Sequence, residues 1–135
     1  MMQTSHFSSG TLVGRFMPNP VLAFVAGIVT HLLIDKVPHY WPKTGKGKAL
    51  FTIIDYVIAT IMIILVFAFL KGNVTNMLWG FAGSAIVDIL LVGVIPIHKT
   101  KLGQWHTNRQ PHHTEIGYLS TDIVFTLVCL TLIFI

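Results

Sequence analysis

The sequence predicts an all-α integral membrane bundle, with four transmembrane helices preceded by an N-terminal re-entrant or interfacial helix. Three observations predict it. Hydrophobic residues make up 53% of the 135 positions and charged residues only 10%, against roughly 25% charged in a soluble domain. The mean hydropathy is +0.73, too high for a chain whose whole surface must meet water. The apolar residues are also gathered into runs of about 20, the length an α-helix needs to cross a hydrocarbon core. Residues 1–135 leave room for a single membrane domain and little else.

The first helix is expected at about 6–17, moderately apolar and ended by Pro18-Asn19-Pro20. Proline lacks an amide donor and restricts the residue before it, so no helix continues through that turn. A short second helix at 21–37 follows, and the two form a hairpin. Three longer apolar runs at 50–70, 77–97 and 116–135 complete the expected bundle. Met1 to Gly14 lacks the cationic start and unbroken apolar run of a secretory signal, so no cleavage is expected. Cys129 stands alone in an apolar run and reads as a small buried hydrophobe.

Charge placement sets the orientation. Lys36, Lys43, Lys46 and Lys48 lie in one loop and Lys99, Lys101 and Arg109 in another, which puts seven basic residues on one side. The other side has Lys71 and, beside the hairpin turn, Arg15. The positive-inside rule makes the richer side cytoplasmic and places the C-terminus outside. Short charged loops between apolar runs make no continuous basic face, so membrane lipids are the expected partners and nucleic acid is not, despite a pI near 9.5. Trp41, Trp79 and Trp105 are expected as interfacial anchors.

The five acidic residues all fall in the cytoplasmic half or at its edge: Asp35, Asp55, Asp88, Glu115 and Asp122. An ionisable group within a span costs roughly 2.5–3.5 kcal/mol on insertion scales, so each needs a reason to be there. His31 and Asp35 are four apart on one helical face that continues back through Gly27 and Ala23. Gly80, Ser84 and Asp88 repeat the arrangement in the later helix. Small residues let helices approach closely at one end of each stripe while polar groups converge at the other. Tyr118, Asp122 and Thr126 share a face, as do Asp55 and Ala59.

Six of the seven His lie near these acids: His31, His39 after Pro38, and His98, His106, His112 and His113 in the last loop. His6 joins them where the hairpin forms, because its turn carries residue 6 back beside Asp35. Imidazole nitrogen with aspartate oxygen is the ligand set for Zn²⁺ or another divalent transition metal, and aspartates also hold Mn²⁺ or Mg²⁺. The expected metal ligands are His6, His31, Asp35, His39, Asp88, His106, His112 and His113. Asp55 and Asp122 are the expected catalytic residues that orient or deprotonate water.

The stretch PNPVLAFVAGIVTHLLIDKVPHY, preceded by His6 and an early glycine, resembles the small polytopic membrane-bound metal-dependent hydrolases of bacteria and archaea, which are distantly similar to zinc-dependent phospholipase C. The resemblance rests on an N-terminal His, a Gly-x-x-x-His-x-x-x-Asp helix ending in Pro-His, a later membrane Asp and a terminal His-rich segment. It covers His6, Gly27, His31, Asp35, Pro38, His39, Asp88 and one or more of His106, His112 and His113. This chain departs from the pattern at Val87, where proline is frequent, and at Tyr40-Trp41-Pro42 after the Pro-His. The resemblance implies a zinc-type site in a prokaryotic plasma membrane.

Together these readings favour a metal-dependent hydrolase acting on a phosphoester of a lipid or other amphiphile at the cytoplasmic leaflet. The alternatives are a proton- or metal-coupled transporter, built from the same intramembrane Asp and His, and a structural membrane subunit. Whether the chain forms a homo-oligomer is left open by the sequence.

Overall fold

Asn19 explains why the chain turns where it does. Its side chain accepts a 2.9 Å hydrogen bond from the Leu22 amide, and Pro20 occupies the first helical position behind it. Proline is preorganised there, because its missing amide is one that a helix start leaves unused. In the computed structural model, which describes residues 2–40, 42, 45–69, 73–90, 101, 104 and 112–135, this cap joins helix α1 (Gln3–Phe16) to helix α2 (Pro20–Ile34). A two-residue strand β1 (His39–Tyr40) follows, then α3 (Gly45–Phe69), α4 (Val74–Asp88), strand β2 (His112–His113) and α5 (Gly117–Phe134). The strands pair in parallel, His39 opposite His112 and Tyr40 opposite His113.

The protein is all-helical as expected, but the helices differ from expectation in length and role. Only α3, at 25 residues, and α5, at 18, are both long and apolar enough to cross a membrane among the described residues. The expected second span is a 15-residue helix, because Pro20 fixes its start and the chain turns after Ile34. The expected span at 77–97 begins earlier, at Val74, and its helix is described to Asp88; the segment 91–97 lies outside the described residues. Helix α3 begins at Gly45 rather than Leu50.

Of the two roles expected for helix α1, re-entrant or interfacial, its packing goes against the interfacial one. The helix packs against all four other helices and is buried from Thr4 to Thr11, which an interfacial helix with one wetted face would not be. It is the axis of the bundle. Residues 4 and 55, and 15 and 133, are neighbours, so α1 runs parallel to α3 and α5. His6 meets Ser84 and Asp35 while Asn76 meets Met17, so α2 and α4 run antiparallel to it.

The close approach of α1, α2 and α4 is made by glycine. A Cβ on Gly10 would stand 2.6 Å from the Gly80 carbonyl oxygen, and one on Gly27 or Gly83 would collide with the backbone of α4 or α2. The expected stripes Gly27-His31-Asp35 and Gly80-Ser84-Asp88 thus face each other, with α1 completing a three-helix contact. Below the polar end lie two apolar layers: Phe7, Ala59 and Ala85, then Val66, Met77 and Ile133.

The distribution of polarity is inverted relative to a soluble protein. Buried side chains include Thr4, Ser5, His6, Ser8, Ser9, Thr11, His31, Asp35, Asp55, Ser84, Asp88 and Asp122, while Ile53, Val57, Ile61, Leu65, Val124 and Leu127 are exposed. Cys129 is buried and free, as expected.

Candidate metal centre

The centre is assembled at the hairpin's open end. Helix α1 carries His6 upward as α2 carries His31 and Asp35 down its neighbouring face, and the α4 stripe delivers Asp88 from the third side. His6 Nε2 lies 3.2 Å from Asp35 Oδ1, and His31 Nε2 lies 3.3 Å from Asp35 Oδ2 and 3.6 Å from Asp88 Oδ1. The two imidazoles stack, with ring centroids 3.9 Å apart and planes inclined by 20°. Ligand atoms of His6, His31 and Asp88 all lie within 4.8 Å of one another. His6 is 1% exposed, His31 0%, Asp35 3% and Asp88 6%, so water does not screen the group.

Two chemical readings of these contacts are open, a hydrogen-bonded group and a metal site. Charge-assisted N–H···O bonds are short, about 2.7–2.9 Å. A tetrahedral zinc with Zn–N and Zn–O legs of about 2.0–2.1 Å has ligand-to-ligand edges of about 3.3–3.4 Å. The observed separations, 3.2, 3.3 and 3.6 Å, lie near that edge, and the two shorter ones also suit hydrogen bonds. His6, His31 and Asp88 so placed could hold one divalent cation, with Asp35 meeting each ring through a different oxygen.

The backbone of His6 is held as well. The Ser84 hydroxyl donates to the His6 carbonyl oxygen at 2.7 Å, tying α1 to the α4 stripe one turn from Asp88. His6 Nδ1 is buried without a hydrogen-bond partner among the described residues.

The two expected catalytic carboxylates lie elsewhere. Met2, at the start of α1, supplies no side-chain cap, and the first amides of a helix have no partner within it. Asp55 of α3 fills that need from outside: its carboxylate accepts from the amides of Gln3 and Thr4 and from the Thr4 hydroxyl. Asp122 of α5 accepts from the Met2 amide at 3.3 Å. Both negative charges therefore sit at the positive end of the α1 dipole. Neither is in the convergent His6, His31 and Asp88 group.

The other expected ligands divide by position. His39 is buried, and its Nδ1 lies 3.1 Å from the Val37 carbonyl oxygen. Its backbone pairs with that of His112, which brings the end of the last loop beside the chain segment that follows Asp35. His113 stacks on Tyr118, with centroids 4.1 Å apart. His106 and the side chain of His112 lie outside the described residues.

Sequence reasoning missed Gln3, whose Nε2 donates to Asp88 Oδ2 at 2.6 Å. Its signal was present: Gln3 precedes His6 by three positions and shares its helical face. An expected helix start at residue 6 concealed it.

Compared with family models, curated proteins and solved structures, the chain has no match.

Proposed function

We propose that the protein is a membrane-embedded, divalent-metal-dependent hydrolase acting on a phosphoester of a lipid or other amphiphile. The observation that carries this reading is the buried convergence of His6, His31 and Asp88, whose ligand atoms lie within 4.8 Å of one another and leave a position for water, with Asp35 against both imidazoles. The inverted polarity supports the membrane setting: a surface of Ile, Val and Leu around a core of His, Asp and hydroxyls is stable in lipid and not in water. In this reading α2 and α4 are embedded with the two longer helices. Zn²⁺ is the cation best suited to two imidazoles and a carboxylate, with Mn²⁺ as a less demanding substitute.

When bound, such a cation supplies a Lewis acid for a phosphoryl oxygen and lowers the pKa of a coordinated water toward about 7. The chain's own groups do the rest. His6, His31, Asp35 and Asp88 fix the cation's place, while the carboxylates of Asp55 and Asp122 hold the first turn of α1, and hence His6, in register. Lys36, Lys46 and Lys48 are exposed at the same end of the bundle and are placed to attract a phosphate-bearing headgroup.

One observation favours the transport alternative: α1 presents a buried run of hydroxyls from Thr4 to Thr11. Three of those five hydroxyls are turned back onto their own helix, Ser8 to the Ser5 carbonyl, Ser9 to His6 and Thr11 to Phe7, while Thr4 donates to Asp55 and Ser5 meets Thr126. Their engagement within the bundle favours a closed site over a path. Metal analysis of the detergent-purified protein, with phosphoesterase assays on lipid substrates, tests the proposal. About one equivalent of zinc and an activity lost in His31→Ala and Asp35→Ala are expected. A metal-free preparation that takes up no Zn²⁺, or Zn²⁺ flux in proteoliposomes abolished by Asp88→Asn, would overturn it.

A further inference from the structure

Gln3 is the group next to the centre whose chemistry the three ligands do not use. Asp88 Oδ2 is a carboxylate oxygen and can only accept, so the nitrogen of the Gln3 amide must face it, as the 2.6 Å contact requires. That choice fixes where the amide oxygen points. Gln3 Oε1 is buried and has no hydrogen-bond partner among the described residues. Covalent geometry keeps it within about 5 Å of Asp88 Oδ2. Burying an amide oxygen without a donor is unfavourable, a cost relieved by a ligand that brings an O–H.

The backbone of the same residue is fixed independently. Its amide donates to the Asp55 carboxylate, so Gln3 cannot swing away without giving up the cap of α1. One side of the Gln3 side chain therefore holds Asp88 so that Oδ1 faces His31, and the other offers a preset acceptor beside the cation site.

We propose that Gln3 is a positioning residue that restricts Asp88 to ligation through one oxygen and receives, on Oε1, the O–H of a water or substrate hydroxyl brought to the site. The inference rests on the metal reading above and adds to it the residue that sets coordination number and orients the hydroxyl. Conserving the side chain's volume while changing its donor tests this: Gln3→Met removes both donor and acceptor, and Gln3→Glu keeps an acceptor but places a second one against Asp88.

The probe is Co²⁺ titrated into metal-free, detergent-purified protein and followed by visible absorption, with thermal unfolding of the metal-free protein measured alongside. Four-coordinate Co²⁺ with about one equivalent bound is expected for the parent chain. Gln3→Met should weaken Co²⁺ binding by about 10- to 100-fold, the usual effect of removing an outer partner of a ligand. Gln3→Glu should cut the intensity of the visible bands by about half or more, as Asp88 engages through both oxygens and coordination rises to five. A purely structural Gln3 would lower the unfolding temperature of the metal-free protein and leave affinity and band intensity unchanged, which overturns the inference. Should Gln3→Met fail to fold, the Gln3→Glu spectrum decides alone. Absence of Co²⁺ binding by the parent chain would instead remove the metal reading, and this inference with it.

Discussion

At the scale of single residues, carboxylates of one kind have been given two tasks. Asp35 and Asp88 face imidazoles, whereas Asp55 and Asp122 face backbone amides. Substitution by Asn separates the tasks. Asp88→Asn removes a charged ligand and should lower Zn²⁺ affinity by about 100-fold or more, somewhat beyond the loss typical of an outer partner; competition with a fluorescent chelator measures it. Both oxygens of Asp55 accept from α1, so in Asp55→Asn one amide hydrogen must face an NH₂ group. The expected cost is about 2 kcal/mol in unfolding free energy. Asp122 accepts through Oδ1 and its Oδ2 has no hydrogen-bond partner among the described residues, so Asp122→Asn should cost less than about 1 kcal/mol. Retained phosphoesterase activity in Asp122→Asn would fit capping, and its complete loss in a well-folded variant would restore the water-activating role expected from sequence. The pairing of His31 with Asp35 was legible because i, i+4 spacing places two side chains on one face whatever surrounds them. The division of labour among the four aspartates was not, because it depends on which helix each one meets.

At the scale of elements, the hairpin turn and the two glycine stripes were readable for a physical reason. Proline, and glycine at helical spacing, constrain the backbone directly, so their positions report geometry. The central position of α1 was harder to read. Its sequence, QTSHFSSGTLVGRF, has many hydroxyls and little apolar character, and in a membrane chain that pattern reads as a surface helix when seen alone. It is buried because its hydroxyls bond to its own carbonyls or to α3 and α5, and because those two helices cap its start. At its far end Arg15 donates to the carbonyls of Leu132 and Ile133 at 2.9 and 2.6 Å, where it also meets the negative end of the α5 dipole. Glycine substitutions distinguish packing from propensity. Gly27→Ala places a methyl group in the backbone of α4 and should destabilise by about 1–3 kcal/mol. Gly117→Ala has open space within 4 Å and should leave stability unchanged or raise it by at most about 1 kcal/mol. Thermal unfolding in one detergent compares the two; equal losses would mean that the close contact of α2 with α4 does not bear on stability.

At the scale of the whole molecule, the helix directions and the charges make one joint prediction. Because α1, α3 and α5 run in parallel, the start of α1 and the end of α5 lie at opposite ends of the bundle. The capping carboxylates sit with the His–Asp group at one end, and Arg15 with Ile133 at the other. Lys46 and Lys48 lie about 10–14 Å beyond Asp55 along α3, at an axial rise of 1.5 Å per residue, so the basic residues flank the end that holds the site. A bilayer that places those lysines in the cytoplasm therefore also sets the His–Asp group near the cytoplasmic leaflet and carries Ile135 to the far side. Single cysteines introduced at Lys46 and at Ile135 in a Cys129→Ala background test this by labelling with a membrane-impermeant maleimide. In intact cells the position 135 variant should label and the position 46 variant should not, and both should label once the membrane is opened. Labelling of both from one side would break the parallel relation of α3 and α5. Labelling with the sides exchanged would keep the bundle but turn the His–Asp group toward the outer leaflet, and with it change the pool of phosphoesters open to the proposed hydrolase.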